Sequence, residues 1–256
     1  MENRNIKLII SYDGTGFSGW QVQADQRTVQ GEIEKALAKM HKHPVSLTGA
    51  GRTDAGVHAT GQVGNFFTDL NSIDHQQFRD AINYYLPQDV RVLESSIVNK
   101  QFSARFSARM RIYRYFFYFG PVNLPHLNRY AVRRREKPDI KLLNQYTSVL
   151  IGDHDFTTFA AAGDMSSSKK RIVYSASFYP RGNFLVFMIK ADSFLYKMVR
   201  SLVGTFLDCV KKGIPREEFA GIVLARDRSK AGCTAPARGL FLDKVIYSTG
   251  ERAQCQ

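Results

Sequence analysis

The stretch TVQGEIEKALAKMH, residues 28–41, decides the fold. Val29, Ile33, Leu37 and Met40 recur at helical spacing on one face, and Thr28 stands where an N-cap belongs, so Thr28–His41 reads as an amphipathic helix. Outward from it the period changes to two. Ile6–Tyr12 reads as a strand before the helix. Val45–Thr48 and Gln62–Phe67 read as strands after it, on either side of a glycine-rich loop. Asp74–Tyr85 suits a second helix that ends before Pro87, and Val90–Val98 a further strand. The order β-α-β-β-α-β is that of a ferredoxin-like unit.

A similar order recurs downstream. Arg109–Phe119 reads as a strand, Pro138–Ile151 as a helix, and Arg171–Tyr179 with Phe184–Lys190 as a hairpin around Arg181-Gly182-Asn183. Phe194–Lys211 is a long helix with an apolar stripe of Leu195, Met198, Leu202, Val203, Phe206 and Val210. A short helix at Arg216–Ala225 and a strand at Leu240–Tyr247 complete the set. The expectation is an α+β protein of two ferredoxin-like α/β domains, residues 1–104 and 105–256. Their mainly antiparallel sheets are expected to join into one extended sheet with helices on one face.

Composition narrows the class of function. The 256 residues are 44% hydrophobic and 12% aromatic, enough to build a packed core. Lys and Arg number 36 against 23 acids, a formal charge of +13 that points to a polyanionic partner. The runs Arg133–Lys137 and Lys169–Arg171 suit phosphate contacts as well as they suit solvated faces. Cys209, Cys233 and Cys255 form no CxxC pair and have no metal-ligand spacing with histidine, which reads as reduced thiols in a cytoplasmic protein. Histidines 41, 43, 58, 75, 126 and 154 show no such spacing either, so no metal is expected. The opening MENRNIKLIISYDG lacks the apolar core of a signal peptide.

Two glycine-rich stretches differ in value. Gly14-Thr15-Gly16-Phe17-Ser18-Gly19 matches G-x-G-x-x-G after a strand, but a dinucleotide loop should open directly into a helix, and here the helix waits until Thr28. A turn presenting Phe17 and Trp20 is the better reading. The second stretch, Gly49-Ala50-Gly51-Arg52-Thr53-Asp54-Ala55-Gly56-Val57-His58, lies between two strands and holds one carboxylate, Asp54. Arg52, two residues away, would favour the ionised acid and thus a nucleophile or base, although an Asp capping a turn has the same composition.

Read together, these motifs resemble the TruA family of tRNA pseudouridine synthases. The resemblance rests on Tyr12-Asp13-Gly14, Phe17-Ser18-Gly19-Trp20-Gln21, the loop 49–58, and Phe102-Ser103-Ala104-Arg105-Phe106-Ser107-Ala108. It continues through Tyr113-Arg114-Tyr115, Gly152-Asp153-His154-Asp155-Phe156, Met198-Val199-Arg200 and Gly239-Leu240, in the family's order from about residue 6 to 247. It implies an isomerase of uridines in the tRNA anticodon stem-loop, positions 38 to 40, working as a homodimer without metal or cofactor. It puts the catalytic carboxylate on Asp54, the aromatic that stacks on the target base on Tyr113, and the basic partners on Arg52 and Arg200. Tyr196-Lys197 stands where relatives often carry histidine, which alters the lining of the cleft.

The chemistry fits those residue types. The target base must leave its stack, and an aromatic ring offsets part of that cost. Alternation in Arg109–Phe119 puts Arg109, Arg111, Tyr113, Tyr115 and Phe117 on one face, with Tyr115 read as core. Asp54 would add to C6 of uracil, attack C1′ of the ribose or deprotonate C2′; the residues do not separate these routes. Tyr196 and Arg200, spaced i, i+4, are expected to share a flank of the long helix, from which Arg200 would reach the loop and pair with Asp54 or else face solvent; the sequence does not decide between Arg52 and Arg200 as the closer partner of Asp54. His58 is expected to support the loop. The rival classes are a non-catalytic RNA-binding module, for which an RNP1-like stretch is missing, and a nucleotide-dependent enzyme, which rests on the weak glycine match alone.

Overall fold

The computed structural model describes residues 3–247, so Cys255 lies outside the described residues. Two compact units divide them: 3–109 with 241–247, and 110–240.

In the first unit, β1 (Arg4–Tyr12), α1 (Val29–His41), β2 (Thr48–Gly49), β3 (His58–Thr68), α2 (Phe78–Tyr85) and β4 (Val90–Val98) follow in the expected order. The strands lie β4-β1-β3 with β2 on β3, so β1 is central and antiparallel to both neighbours. Partners across an antiparallel ladder share a face. Ile6 opposite Phe66 and Leu8 opposite Gly64 therefore line one side, and Phe66 meets Phe78 of α2 at 5.7 Å. Ile33, Leu37 and Ala36 of α1 are buried, whereas Met40 stays partly exposed and His41 turns inward in its place. The His41 ring is satisfied there by Leu37 O and Thr68 Oγ1, each at 2.8 Å. Thr28 caps α1 as expected, its side chain accepting from Gly31 N–H.

The second unit contains β5 (Met110–Phe119), β6 (Val132–Arg134), α3 (Ile140–Val149), β7 (Gly152–Asp155), β8 (Lys170–Arg181), β9 (Phe184–Ala191), α4 (Met198–Lys212) and α5 (Arg216–Leu224). Its strands run β5-β9-β8-β7, all antiparallel, with β6 parallel to β5. Rings of Tyr146, Phe178, Phe187, Phe206 and Phe219 form the core, packed at centroid distances such as 4.7 Å for Tyr146–Phe219 and 5.4 Å for Phe187–Phe206. A fully buried side chain of this size contributes about 1.5–3 kcal/mol. The α+β class is as expected.

One element goes elsewhere than its place in the chain suggests. β10 (Leu240–Ile246), read from sequence as the close of the second half, pairs parallel with β3 through Phe241 opposite His58, and so belongs to the first unit. Among the described residues, no helix is long and apolar enough to cross a membrane, and no three His, Cys, Asp or Glu side chains cluster as metal ligands would.

Candidate active site

The loop between β2 and β3 is fastened along its length. Ala50 N–H donates to Val63 O at 2.8 Å, and Gln62 Nε2 to Gly51 O at 2.9 Å. Trp20 N–H donates to Thr53 O at 3.1 Å, and Gly56 N–H to Phe17 O at 3.4 Å. Asp54 begins a tight turn closed by Val57 N–H to Asp54 O at 3.1 Å. Gly56 occupies the third place of that turn at φ +75°, where a side chain would be strained. Only the residue at the head of this turn carries a carboxylate, and Asp54 is half-buried rather than sealed.

Beneath Asp54 lies an anchor to which sequence reasoning assigned no part. The buried hydroxyls of Tyr12 and Thr53 share a hydrogen bond of 2.8 Å. Burial pushes the Tyr12 phenol far above its ordinary pKa, against the pull of its bonds to Thr53 and Gln62, so it stays protonated at working pH. Gly19 at φ +99° lets a second strand of chain approach, because a Cβ there would sit 2.7 Å from Thr53 O. Trp20 fills the space under Gly49, where an added Cβ would meet the indole at 2.5 Å. The expected turn presenting Phe17 and Trp20 is therefore corrected: both rings point inward, 4% and 2% exposed. Gly14–Gly16 is a short 3-10 turn capped by Asp13, and no α-helix opens between Asp13 and Val29, which removes the phosphate-binding geometry of a dinucleotide loop. Tyr12, Gly19 and Trp20 all lay within quoted motifs; the missing signal was which partner each would touch.

His58, expected to support the loop, is fully buried at the start of β3. Its ring stacks on Phe241 at 4.6 Å, and Nδ1 accepts from Gly14 N–H at 3.1 Å with Asp13 Oδ1 at 3.2 Å. Arg52, two residues before Asp54, is exposed.

The remaining two predicted residues belong to the second unit. Tyr113 sits in β5 opposite Ile189, 8% exposed, its ring edge-on to Phe194 at 4.9 Å. Tyr115 is core as expected, its hydroxyl donating to Pro236 O at 2.8 Å. Burial pushes the Tyr115 phenol upward, while Arg200, Arg238 and Arg134 pull it down, which marks a cluster of positive charge around it. Arg200 lies in the first turn of α4, half-buried, and its Nε donates to Ala235 O at 2.8 Å. Tyr196 does not share a helix flank with Arg200. The helix begins at Met198, because Lys197 adopts the left-handed conformation at φ +58° and breaks the run. The basic runs are also partly engaged: Lys169 pairs with Asp164, and the Arg133 and Arg171 guanidinium groups donate to backbone carbonyls.

Residues 8–107 and 147–248 match the family described as tRNA pseudouridine synthase, a span that includes Arg52, Asp54 and Arg200, with Tyr113 between the matched segments. A tRNA pseudouridine synthase A of Treponema denticola is 47% identical over 249 residues, spanning 95% of this chain and 93% of that protein. One of Lysinibacillus sphaericus is 45% identical over 249 residues, spanning 95% of this chain and all of its own length. One of Brachyspira hyodysenteriae is 40% identical over 244 residues, spanning 95% and 98%. Identity at this level over nearly the whole length makes the chain a member of the tRNA pseudouridine synthase family, isomerases that act on tRNA.

Proposed function

We propose that this isomerase converts uridines 38 to 40 of the tRNA anticodon stem-loop into pseudouridine, with Asp54 as its catalytic carboxylate and with no metal or cofactor. The reading includes a homodimer at work in the cytoplasm. One observation carries it: Asp54 is a half-exposed carboxylate at the head of a turn whose backbone is hydrogen-bonded on both sides. Preorganisation of that kind suits a group that must meet an everted nucleoside in one orientation.

The reaction breaks the N1–C1′ bond, turns the uracil and joins C5 to C1′. C5 gives up its proton and N1 takes one up, so no oxidant or co-substrate enters. A carboxylate beside the nucleoside serves by adding to C6, by attacking C1′ or by taking the proton from C2′. Tyr113 supplies the ring on which the everted base stacks, which offsets part of the few kcal/mol that unstacking costs. Arg52, exposed near Asp54 in sequence, fills the space the base leaves or grips phosphate. Arg200, oriented by Ala235 O, adds positive charge for the RNA backbone.

The test is Asp54→Asn with tRNA tritiated at C5 of uridine. Tritium release should vanish while tRNA affinity stays within about twofold, since one uncharged isostere removes no phosphate contact. Turnover by the variant would remove Asp54 from its role. Chemical mapping of the product that found pseudouridine only outside positions 38 to 40 would remove the anticodon assignment.

A further inference from the structure

The segment entering α4 carries features that the proposed chemistry does not use. Tyr196 is 44% exposed, although it is aromatic and stands two residues beyond Phe194, the packing partner of Tyr113. The Lys197 ammonium lies 4.8 Å over the Tyr196 ring. Lys197 itself holds φ +58°, a conformation that glycine adopts at little cost and lysine does not. Left-handed lysine at a helix C-cap, as at Lys42, is ordinary; here it precedes a helix.

The backbone around this exposed ring is held firmly. Tyr196 N–H donates to Asp164 Oδ2 at 2.6 Å, and Tyr196 O accepts from Ala161 N–H at 3.1 Å. The Asp164 side chain is 4% exposed, ion-paired with Lys169 and bonded to Ser166 N–H. Leu195 O accepts from Met198 N–H at 3.1 Å. A rigid mount, a strained cation and a solvent-facing ring are the elements that proteins combine to hold an unstacked nucleotide.

We infer that Tyr196 and Lys197 form a second nucleotide-holding site: the Tyr196 ring stacks on a base next to the target uridine, and the Lys197 ammonium meets that nucleotide's phosphate. The inference rests on the isomerase reading for the identity of the RNA, and it explains why the segment between Tyr113's neighbour and Arg200 keeps an exposed tyrosine beside a half-buried, left-handed lysine. Stacking on one ring and pairing with one phosphate are separable contributions, so two variants address them independently.

Binding of unmodified tRNA would be measured across a salt series, with tritium release from C5-labelled tRNA followed in the same preparations. Tyr196→Ala should weaken binding about tenfold, from the roughly 1–3 kcal/mol of one base–aromatic stack. Tyr196→Phe should stay within about twofold. Lys197→Gly should lower the slope of log Kd against log salt by about 0.7–0.9, one phosphate contact, while raising Tm by relieving the backbone. That opposite movement of affinity and stability is not produced by a structural role. Wild-type affinity in Tyr196→Ala, an unchanged slope in Lys197→Gly, or a Tyr196→Phe as weak as the alanine variant would each overturn the inference. So would a smaller sedimentation coefficient for Tyr196→Ala, which would give the ring to contact between copies. Absence of tritium release by the wild-type protein would instead sink the isomerase reading and leave the affinity results standing on their own.

Discussion

Tyr12→Phe isolates the anchor beneath Asp54. The ring remains, 4% exposed and 6.1 Å from Trp20, and only the hydroxyl that meets Thr53 Oγ1 at 2.8 Å is deleted. One neutral hydrogen bond is worth about 1 kcal/mol. The Thr53 hydroxyl, 7% exposed, also loses its buried partner, which raises the cost to about 1–3 kcal/mol. At about 2 kcal/mol, a chain of this size should lose roughly 4–8 °C in Tm. Thr53 is covalently next to Asp54, so the same loss loosens the turn that aims the carboxylate. Each ~1.4 kcal/mol of barrier is tenfold in rate, and kcat should fall about 10–100-fold with tRNA affinity unchanged. Single-turnover tritium release and thermal unfolding read the two effects separately. Thr53→Val completes a double-mutant cycle: with both hydroxyls gone, neither is stranded, and the double variant should lose less than the sum of the singles by about 1 kcal/mol. A Tyr12→Phe enzyme that is less stable yet turns over at the wild-type rate refutes the positioning argument, and strict additivity refutes the coupling itself.

Three further outcomes are expected. Tyr113→Phe should retain activity within about threefold while Tyr113→Ala loses roughly ten- to a hundredfold in kcat/KM, the worth of one stack; equal activity of the two would show that the ring does not hold the base. Gly19→Ala, at φ +99° and 2.7 Å from Thr53 O, should cost about 1–3 kcal/mol in denaturant unfolding, whereas Gly51→Ala, which meets nothing within 4 Å, should be near neutral. Comparable losses in both would show that close approach at Gly19 is not what matters. Burial pushes the Asp164 carboxyl up, but Lys169 and the Tyr196 and Ser166 N–H groups outweigh it and hold it well below the usual carboxylate range. With a depressed folded-state pKa, its contribution is full above the unfolded value near 3.8 and fades as pH falls below that. Asp164→Asn should therefore lower Tm at pH 7 and show a shallower acid limb than wild type, and parallel acid limbs would count against this ion pair.

Much of the architecture was legible because hydrophobic period is a local property. α1, β4 and the β8–β9 hairpin emerged close to their expected bounds. Errors arose where an apolar pattern had a partner other than a strand. Val45 and Leu47 are buried, as a strand would require, yet only Thr48–Gly49 joins the ladder. The Leu47 backbone bonds instead to side chains of α1, N–H to Glu34 Oε1 at 2.9 Å and O from Gln30 Nε2 at 3.1 Å. Leu195 is likewise buried and extends the stripe of α4, but Lys197 ends helical geometry before it. Asp74 was read as the helix start, whereas Asp74 and Gln77 close a turn first, and α2 opens at Phe78. β7, with the sequence Gly-Asp-His-Asp, has no apolar alternation to find. At the site, residue types were legible in the motif, but their partners are contacts distant in sequence, 41 positions for Tyr12 with Thr53 and 183 for His58 with Phe241.

The route of β10 bears on how the molecule is made. During vectorial synthesis the loop bearing Asp54 leaves the ribosome early, but the strand that lies along β3 and stacks Phe241 on His58 is translated some 180 residues later. Until residue 246 has emerged, that flank of β3 is an unsealed edge. A nascent or prematurely halted chain thus carries the Asp54 loop on an unfinished scaffold, and a fragment cut near residue 105 for separate expression would inherit the same defect.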